Sequence, residues 1–309
     1  MAVIACVGGG LVGTAWAALF ANAGHTVRIY DQDRNRLETA GLTAIKNALD
    51  ALSELSANGA AGGGLERVTV APTLAEAVAG AWYVQESVRE DLAIKKVVAK
   101  EIADAVSADC VIASSTSALP GSTFLSDVPN PERALVAHPV NPPSHVPLVE
   151  LCGTGLTSPE TMDTTHSFLT EIGMMPVVLK REIDGFLLNR LQYTMVAEAM
   201  HLVGEGYCEP EDIDRVVSEG LALRWAFIGP FMTAHLNASA GFQGFVDQLG
   251  PMMRKMGEAA RTDYPWTAED AARIHERLVA VQPVETIPDA QEQRNANILR
   301  LRAIKQPTH

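Results

Sequence analysis

A histidine and a carboxylate twelve residues apart, His138 and Glu150, frame the stretch His138-Pro-Val-Asn141-Pro-Pro-Ser-His145-Val-Pro-Leu-Val-Glu150. Its prolines forbid helix and its apolar flanks, Ala134–Ala137 and Leu148–Cys152, have strand character, so the segment is expected to be a loop joining two strands. A histidine takes a proton near neutral pH, and a carboxylate on its second ring nitrogen would fix the tautomer and raise its basicity. That chemistry is general-base removal of a hydroxyl proton. His138 directly follows a strand whereas His145 lies in mid-loop, which favours His138. The spacing alone leaves open a loop histidine bonded to its own backbone, with Glu150 in a surface ion pair.

A proton acceptor needs a partner that removes the hydride, and the N-terminal stretch offers one. The apolar run Val3–Val7 ends in Gly8-Gly9-Gly10-Leu11-Val12-Gly13, followed by an alanine-rich helical segment. Strand, glycine turn and helix occur in the order of a dinucleotide site: Gly8 permits the tight turn, Gly10 lets backbone N–H groups near a pyrophosphate, and Gly13 allows close helix–strand packing. The cofactor-binding set is Gly8, Gly10, Leu11, Val12 and Gly13. A second strand, Val27–Tyr30, ends at Asp31, 18 residues past Gly13. An acid there accepts hydrogen bonds from ribose hydroxyls and repels a 2′-phosphate, so NAD is expected rather than NADP, against the nearby Arg34 and Arg36.

These residues need a scaffold that brings strand ends together. Strand and helix alternate up to Asp184, which predicts an α/β fold: a Rossmann-type, doubly wound, mostly parallel sheet. Beyond it everything reads helical. The expected domains are an NAD-binding domain over 1–184 and an all-helical domain for substrate binding and dimerisation over 185–309. Ligands in such sheets sit beyond the C-terminal strand ends, which singles out Glu86 and the run Ser114-Ser115-Thr116-Ser117. The glycine-rich stretch 58–64 is expected to be a connector. Leu187 to Val203 carries apolar residues around too much of a helix for one core face, which suggests a homodimer interface. Gln291 to Lys305 is expected to be a surface or subunit-contact helix.

With 309 residues, 47% hydrophobic, the chain is long enough for a large core in two domains. A net charge of −13 excludes nucleic acid and anionic membranes as main partners and leaves small molecules. The four cysteines are scattered without metal-ligand spacing, so neither disulfide nor metal is expected. The N-terminus lacks a basic leader segment and no apolar run is long enough for a bilayer, so the protein is expected to be cytoplasmic.

His138-Pro-Val-Asn-Pro-Pro, Pro147-Leu-Val-Glu150 and Asp184-Gly-Phe-Leu-Leu-Asn189-Arg190 together resemble the L-3-hydroxyacyl-CoA dehydrogenase superfamily. Asn189-Arg-Leu-Gln-Tyr193, Ser218-Glu-Gly-Leu221, Arg224-Trp-Ala-Phe-Ile-Gly-Pro230 and His235-Leu-Asn237 are similar to its lambda-crystallin or L-gulonate 3-dehydrogenase branch. The resemblance implies His138 as base, Glu150 as its partner, Ser117 and Asn189 as donors to the substrate oxygen, and Glu86 at the nicotinamide ribose. Ser114 or Ser115 serves in place of Ser117 if the turn differs, and Asn189 alternatively caps a helix. Asn141, Ser117, Asn189 and Arg224 make up the expected substrate contacts.

The acyl-CoA enzymes carry a small Gly-rich segment before their Gly-Pro motif and often a Lys-x-Gly-x-Gly-Phe ending, and this sequence shows neither. A buried Arg224 would match a free carboxylate bidentately, unless it pairs with Glu219 or Asp214. The expected activity is therefore NAD-dependent oxidation of the 3-hydroxyl of a small 3-hydroxy acid, L-gulonate leading. A 3-hydroxyacyl-CoA is the enzymatic alternative, and a non-catalytic NAD-binding structural role is the alternative outside enzymes.

Overall fold

A computed structural model describes residues 2–55, 64–264 and 267–305, so all of the connector expected at 58–64 except Gly64 lies outside the described residues. β1 (Val3–Val7), α1 (Leu11–Asn22) and β2 (Thr26–Tyr30) open the chain. α2 (Arg34–Arg36) and α3 (Leu42–Leu55) follow, joined by a π-helical turn at Leu37–Gly41. β3 (Val68–Val70), α4 (Leu74–Val78), β4 (Tyr83–Glu86), α5 (Leu92–Ala105) and β5 (Val111–Ser114) continue the alternation. β6 (Ala134–Pro139), β7 (Leu148–Gly153), α6 (Pro159–Glu171) and β8 (Met175–Leu179) complete it. The eight strands form one sheet in the order β3-β2-β1-β4-β5-β6-β7-β8, so the chain reverses direction of growth between β1 and β4. Every neighbouring pair is parallel except β6 and β7.

Strand alternation explains the two covered faces. Ile4 and Cys6 of β1 pack with Trp16, Phe20, Ile45 and Phe168 on one side. Ala5 and Val7 pack with Val78, Ile102 and Phe124 on the other. Successive side chains of a strand point to opposite faces, so a strand buried on both must be apolar throughout, as β1 is. The fold is the expected Rossmann-type α/β sheet followed by helices.

The chain divides into two compact units, one running up to Asn189 together with Asn295–Ile304, the other Arg190–Arg294. The second is built from helices: α7 (Leu188–Gly204), α8 (Pro210–Arg215), α9 (Ala222–Trp225), α10 (Pro230–Leu236), α11 (Gly241–Ala259) and α12 (Ala268–Val281). A π-helical turn, Val216–Leu221, joins α8 to α9. Within it Ala197, Met200 and Val203 of α7 are buried, and Arg277 bridges to Glu211 of α8 at 3.1 Å. α13 (Ile287–Lys305) ends the description, and its segment 295–304 belongs to the first unit. No helix among the described residues is long and apolar enough to cross a membrane.

Candidate active site

The antiparallel pairing of β6 and β7 places His138 directly opposite Glu150. Directly paired residues of antiparallel strands hold their Cβ atoms about 5 Å apart on one face, so a separation of twelve in sequence becomes side-chain contact. The imidazole Nδ1 lies 2.9 Å from Glu150 Oε2, with only 4% of the histidine and 2% of the glutamate exposed. His138 sits inside β6 rather than after it, a correction to the sequence expectation, because the strand continues through Pro139. An ionised carboxylate only accepts, so it holds the proton on Nδ1 and leaves the Nε2 lone pair as the basic site. His145 makes a different contact, 2.9 Å from Ser144 Oγ.

Glu150 is itself fixed by the entry to α7. Its Oε1 accepts from the backbone N–H groups of Leu187 at 2.9 Å and Leu188 at 3.1 Å. The turn before them puts Phe186 at φ 51°, a left-handed conformation uncommon for an aromatic residue. Burial holds it there: Phe186 is fully enclosed with Val136, Cys152 and Leu179, and its ring centre is 5.2 Å from that of His138. Val136, His138, Cys152 and Glu150 share one face of the hairpin, since each pair is two residues apart on its strand. The imidazole therefore packs beside an apolar cluster.

Asn189, next after Leu188, donates from Nδ2 to the carbonyl of Ser117 at 2.7 Å. The structure thus joins Ser117, Asn189, Glu150 and His138 through adjoining contacts. Glu90 braces the Ser117 turn: its Oε1 accepts from the N–H groups of Ser117 at 2.9 Å and Ala118 at 3.0 Å and from Thr116 Oγ1 at 2.7 Å. These bonds hold the Glu90 carboxyl below its ordinary pKa, against the opposing effect of its partial burial. The other hydroxyls in the run are engaged. Ser114 donates to Glu86 Oε2, and Ser115 Oγ receives Trp16 Nε1 at 3.2 Å and Gln85 Nε2 at 2.8 Å. Ser117 alone of the three serines is exposed. Asn141 is exposed on the loop beyond β6.

At the glycine turn, Gly8 has φ +106°, and a Cβ there would lie 2.5 Å from the Ser87 carbonyl oxygen. A Cβ on Gly13 would stand 1.9 Å from the Gly8 carbonyl oxygen, so helix and strand approach too closely for any other residue. Gly10 has open space where its Cβ would be and caps α1 without a side-chain bond. The first bond in the helix is Thr14 N–H to Gly10 O, so the N–H groups of Leu11, Val12 and Gly13 precede the ladder. Such a cradle fits a pyrophosphate. Asp31 Oδ2 accepts from Gly9 N–H at 2.6 Å and Arg36 Nη2 at 3.2 Å, and Oδ1 from Asp33 N–H at 2.9 Å. A carboxylate has about four acceptor sites, which leaves one for a ribose hydroxyl.

Two expectations change. Glu86 is turned inward rather than toward solvent: 2% exposed, it binds Lys95 Nζ at 3.0 and 3.1 Å, Val88 N–H at 2.6 Å and the Ser114 hydroxyl. Its acceptors are occupied inside the protein. Lys95 was the missed partner, and its signal lay in spacing: Lys95, Ala99, Ile102 and Ala103 form the buried stripe of α5. Arg224 is exposed rather than buried, and among the described residues it pairs with neither Glu219 nor Asp214. Among the described residues no cluster of histidine, cysteine or acidic side chains could hold a metal.

Comparison with known proteins bears on the family of the chain. The model of the 3-hydroxyacyl-CoA dehydrogenase NAD binding domain matches residues 3–183, and that of the 3-hydroxyacyl-CoA dehydrogenase C-terminal domain matches residues 185–279. A lambda-crystallin homolog from Bos taurus is 38% identical over 308 residues, covering 98% of this chain and 95% of the relative. An L-carnitine dehydrogenase from Bacillus cereus is 37% identical over 276 residues, covering 89% of this chain and 81% of the relative. Among solved structures, an NAD+-dependent dismutase, 5-formyl-3-hydroxy-2-methylpyridine 4-carboxylic acid 5-dehydrogenase, superposes with a TM-score of 0.80 at 28% identity. That match covers 99% of this chain and 98% of the other.

Proposed function

The chain belongs to the 3-hydroxyacyl-CoA dehydrogenase family, and from that premise we propose that it oxidises the 3-hydroxyl of a small 3-hydroxy acid, L-gulonate favoured, with His138 as general base. It is an NAD-dependent dehydrogenase acting on a CH–OH donor. The observation that carries the proposal is the buried pair of His138 and Glu150, whose geometry leaves one basic nitrogen free. NAD, held at Gly8, Gly10, Leu11, Val12, Gly13 and Asp31, supplies the hydride acceptor. His138 Nε2 takes the hydroxyl proton and Glu150 stabilises the imidazolium that forms. The Ser117 hydroxyl and the second N–H of the Asn189 amide donate to the oxygen as it becomes an alkoxide. Asn141 and Arg224 are assigned to substrate contact. Although exposed, Arg224 has no ion pair among the described residues and is assigned to a substrate carboxylate, which favours a free acid over a thioester. Carnitine, also a 3-hydroxy acid, is the second reading, supported by the L-carnitine dehydrogenase relatives.

The domain assignment proposed with this is NAD binding over 1–184 and substrate binding over 185–309, in a cytoplasmic homodimer. Support for the dimer comes from Leu187, Leu191, Tyr193 and Met195, all exposed along and just before α7. The test is an NAD-linked panel of L-gulonate, 3-hydroxybutyrate, carnitine and 3-hydroxybutyryl-CoA, run on wild type and Arg224→Leu. The highest kcat/KM for L-gulonate, reduced in the variant mainly through KM, is expected. A preference for the thioester, or equal kcat/KM for L-gulonate in both proteins, overturns the free-acid assignment.

A further inference from the structure

The loop between His138 and Glu150 is short of donors. Pro139, Pro142, Pro143 and Pro147 have no N–H, so residues 139–147 offer more backbone acceptors than donors. Its internal bonds are few: His145 and Val146 N–H both reach the Pro142 carbonyl at 3.0 Å, and Val140 N–H reaches Leu148 O at 3.3 Å. Two carbonyls at the crest, those of Ser144 and His145, instead accept from one distant side chain. Arg302 Nη1 donates to Ser144 O at 3.1 Å and to His145 O at 3.0 Å.

Arg302 comes from the last turn of α13, more than 150 residues along the chain. Leu299, one turn earlier on the same helix face, is the buried residue of that helix. The pair therefore faces the first unit, and segment 295–304 is part of it. Among the described residues Arg302 meets no carboxylate, and burial pulls its pKa below the ordinary arginine value. A half-buried guanidinium with no carboxylate partner among the described residues is committed to the carbonyls it binds.

We propose that Arg302 is a positioning residue of the active site: from the C-terminal helix it clamps the crest of the loop whose two ends carry His138 and Glu150 and whose surface carries Asn141. The inference rests on the reading of His138 and Glu150 as the reacting pair. Arg302 touches no reacting atom; it fixes the loop, and through it the approach of the substrate hydroxyl to Nε2. The helix assigned from sequence to surface or subunit contact thus completes the catalytic unit.

The full-length Arg302→Ala and Arg302→Lys variants test it, assayed with L-gulonate and NAD beside His138→Ala. Misplacement of a reacting group predicts a fall in kcat of about 10- to 100-fold for Arg302→Ala, with KM for NAD and Tm unchanged. Arg302→Lys, which keeps donors at the site, recovers part of the loss, and added guanidinium ion at millimolar level raises the Arg302→Ala rate. Amide exchange at His145 and Val146 quickens by about tenfold or more in Arg302→Ala, while that of β6 is unchanged. A kcat for both variants within about twofold of wild type overturns the inference, as does a loss matched in Tm and NAD affinity and untouched by guanidinium. If His138→Ala keeps full turnover, the reacting-pair reading fails instead. Exchange at His145 and Val146 still reports on the clamp, and unaltered rates overturn it.

Discussion

Asp31 is a carboxylate that organises its surroundings and to which the proposed function adds cofactor choice. It ties the glycine turn to the end of β2 through Gly9 N–H and neutralises Arg36, so the cation most able to meet a 2′-phosphate is already engaged. Replacement of Asp31 by serine releases Arg36 and removes the repelling charge. The preference for NAD over NADP, measured as the ratio of kcat/KM values, is expected to fall by about tenfold or more in Asp31→Ser. An unchanged ratio would show that Asp31 has no part in discrimination. Asp31 was legible in sequence because its position after a strand is set by the glycine pattern upstream. Glu86 was misread for the opposite reason: its partner Lys95 is a charge on an apolar helix stripe, and a strand-end acid looks the same whether it faces a ligand or a buried ammonium.

Among elements, the joint of β4, α5 and β5 depends on that ammonium. Lys95 on α5 bonds Glu86 on β4, which also accepts from Ser114 on β5. Removing one member of a buried pair leaves the other charge unmatched, so Lys95→Met is expected to destabilise by about 3–5 kcal/mol, seen as a lower denaturant midpoint. Lys95→Met with Glu86→Gln should regain part of that. A single variant as stable as wild type would show that the pair contributes nothing. Strands and helices themselves were readable from alternation, glycine and proline, and the sheet follows from them. The antiparallel turn of β7 was not, since its direction is set by the path of a proline-rich loop and not by any local pattern. That one pairing converts His138 and Glu150 from residues twelve apart into a bonded pair. The Arg302 contact was equally unreadable, as it depends on where a helix more than 150 residues away comes to rest.

At the scale of the whole molecule, the glycine turn, Ser117, His138, Glu150 and Asn189 all belong to the first unit, and Arg224 belongs to the second. The proposed dimer is tested by light scattering on a size-exclusion column. Wild type is expected at twice the 309-residue mass and Leu191→Glu with Met195→Glu nearer a monomer, since charge on an apolar contact is costly to bury. A monomeric wild type removes the proposal.

The central claim is that His138, oriented by Glu150, takes the hydroxyl proton of a substrate whose hydride acceptor would be NAD. Its most direct measurement is NADH formation from L-gulonate by wild type and His138→Ala, paired with NADH binding by fluorescence. A general base predicts a loss in kcat of about 10²- to 10⁴-fold with NADH affinity unchanged. Equal kcat in the two proteins would contradict it.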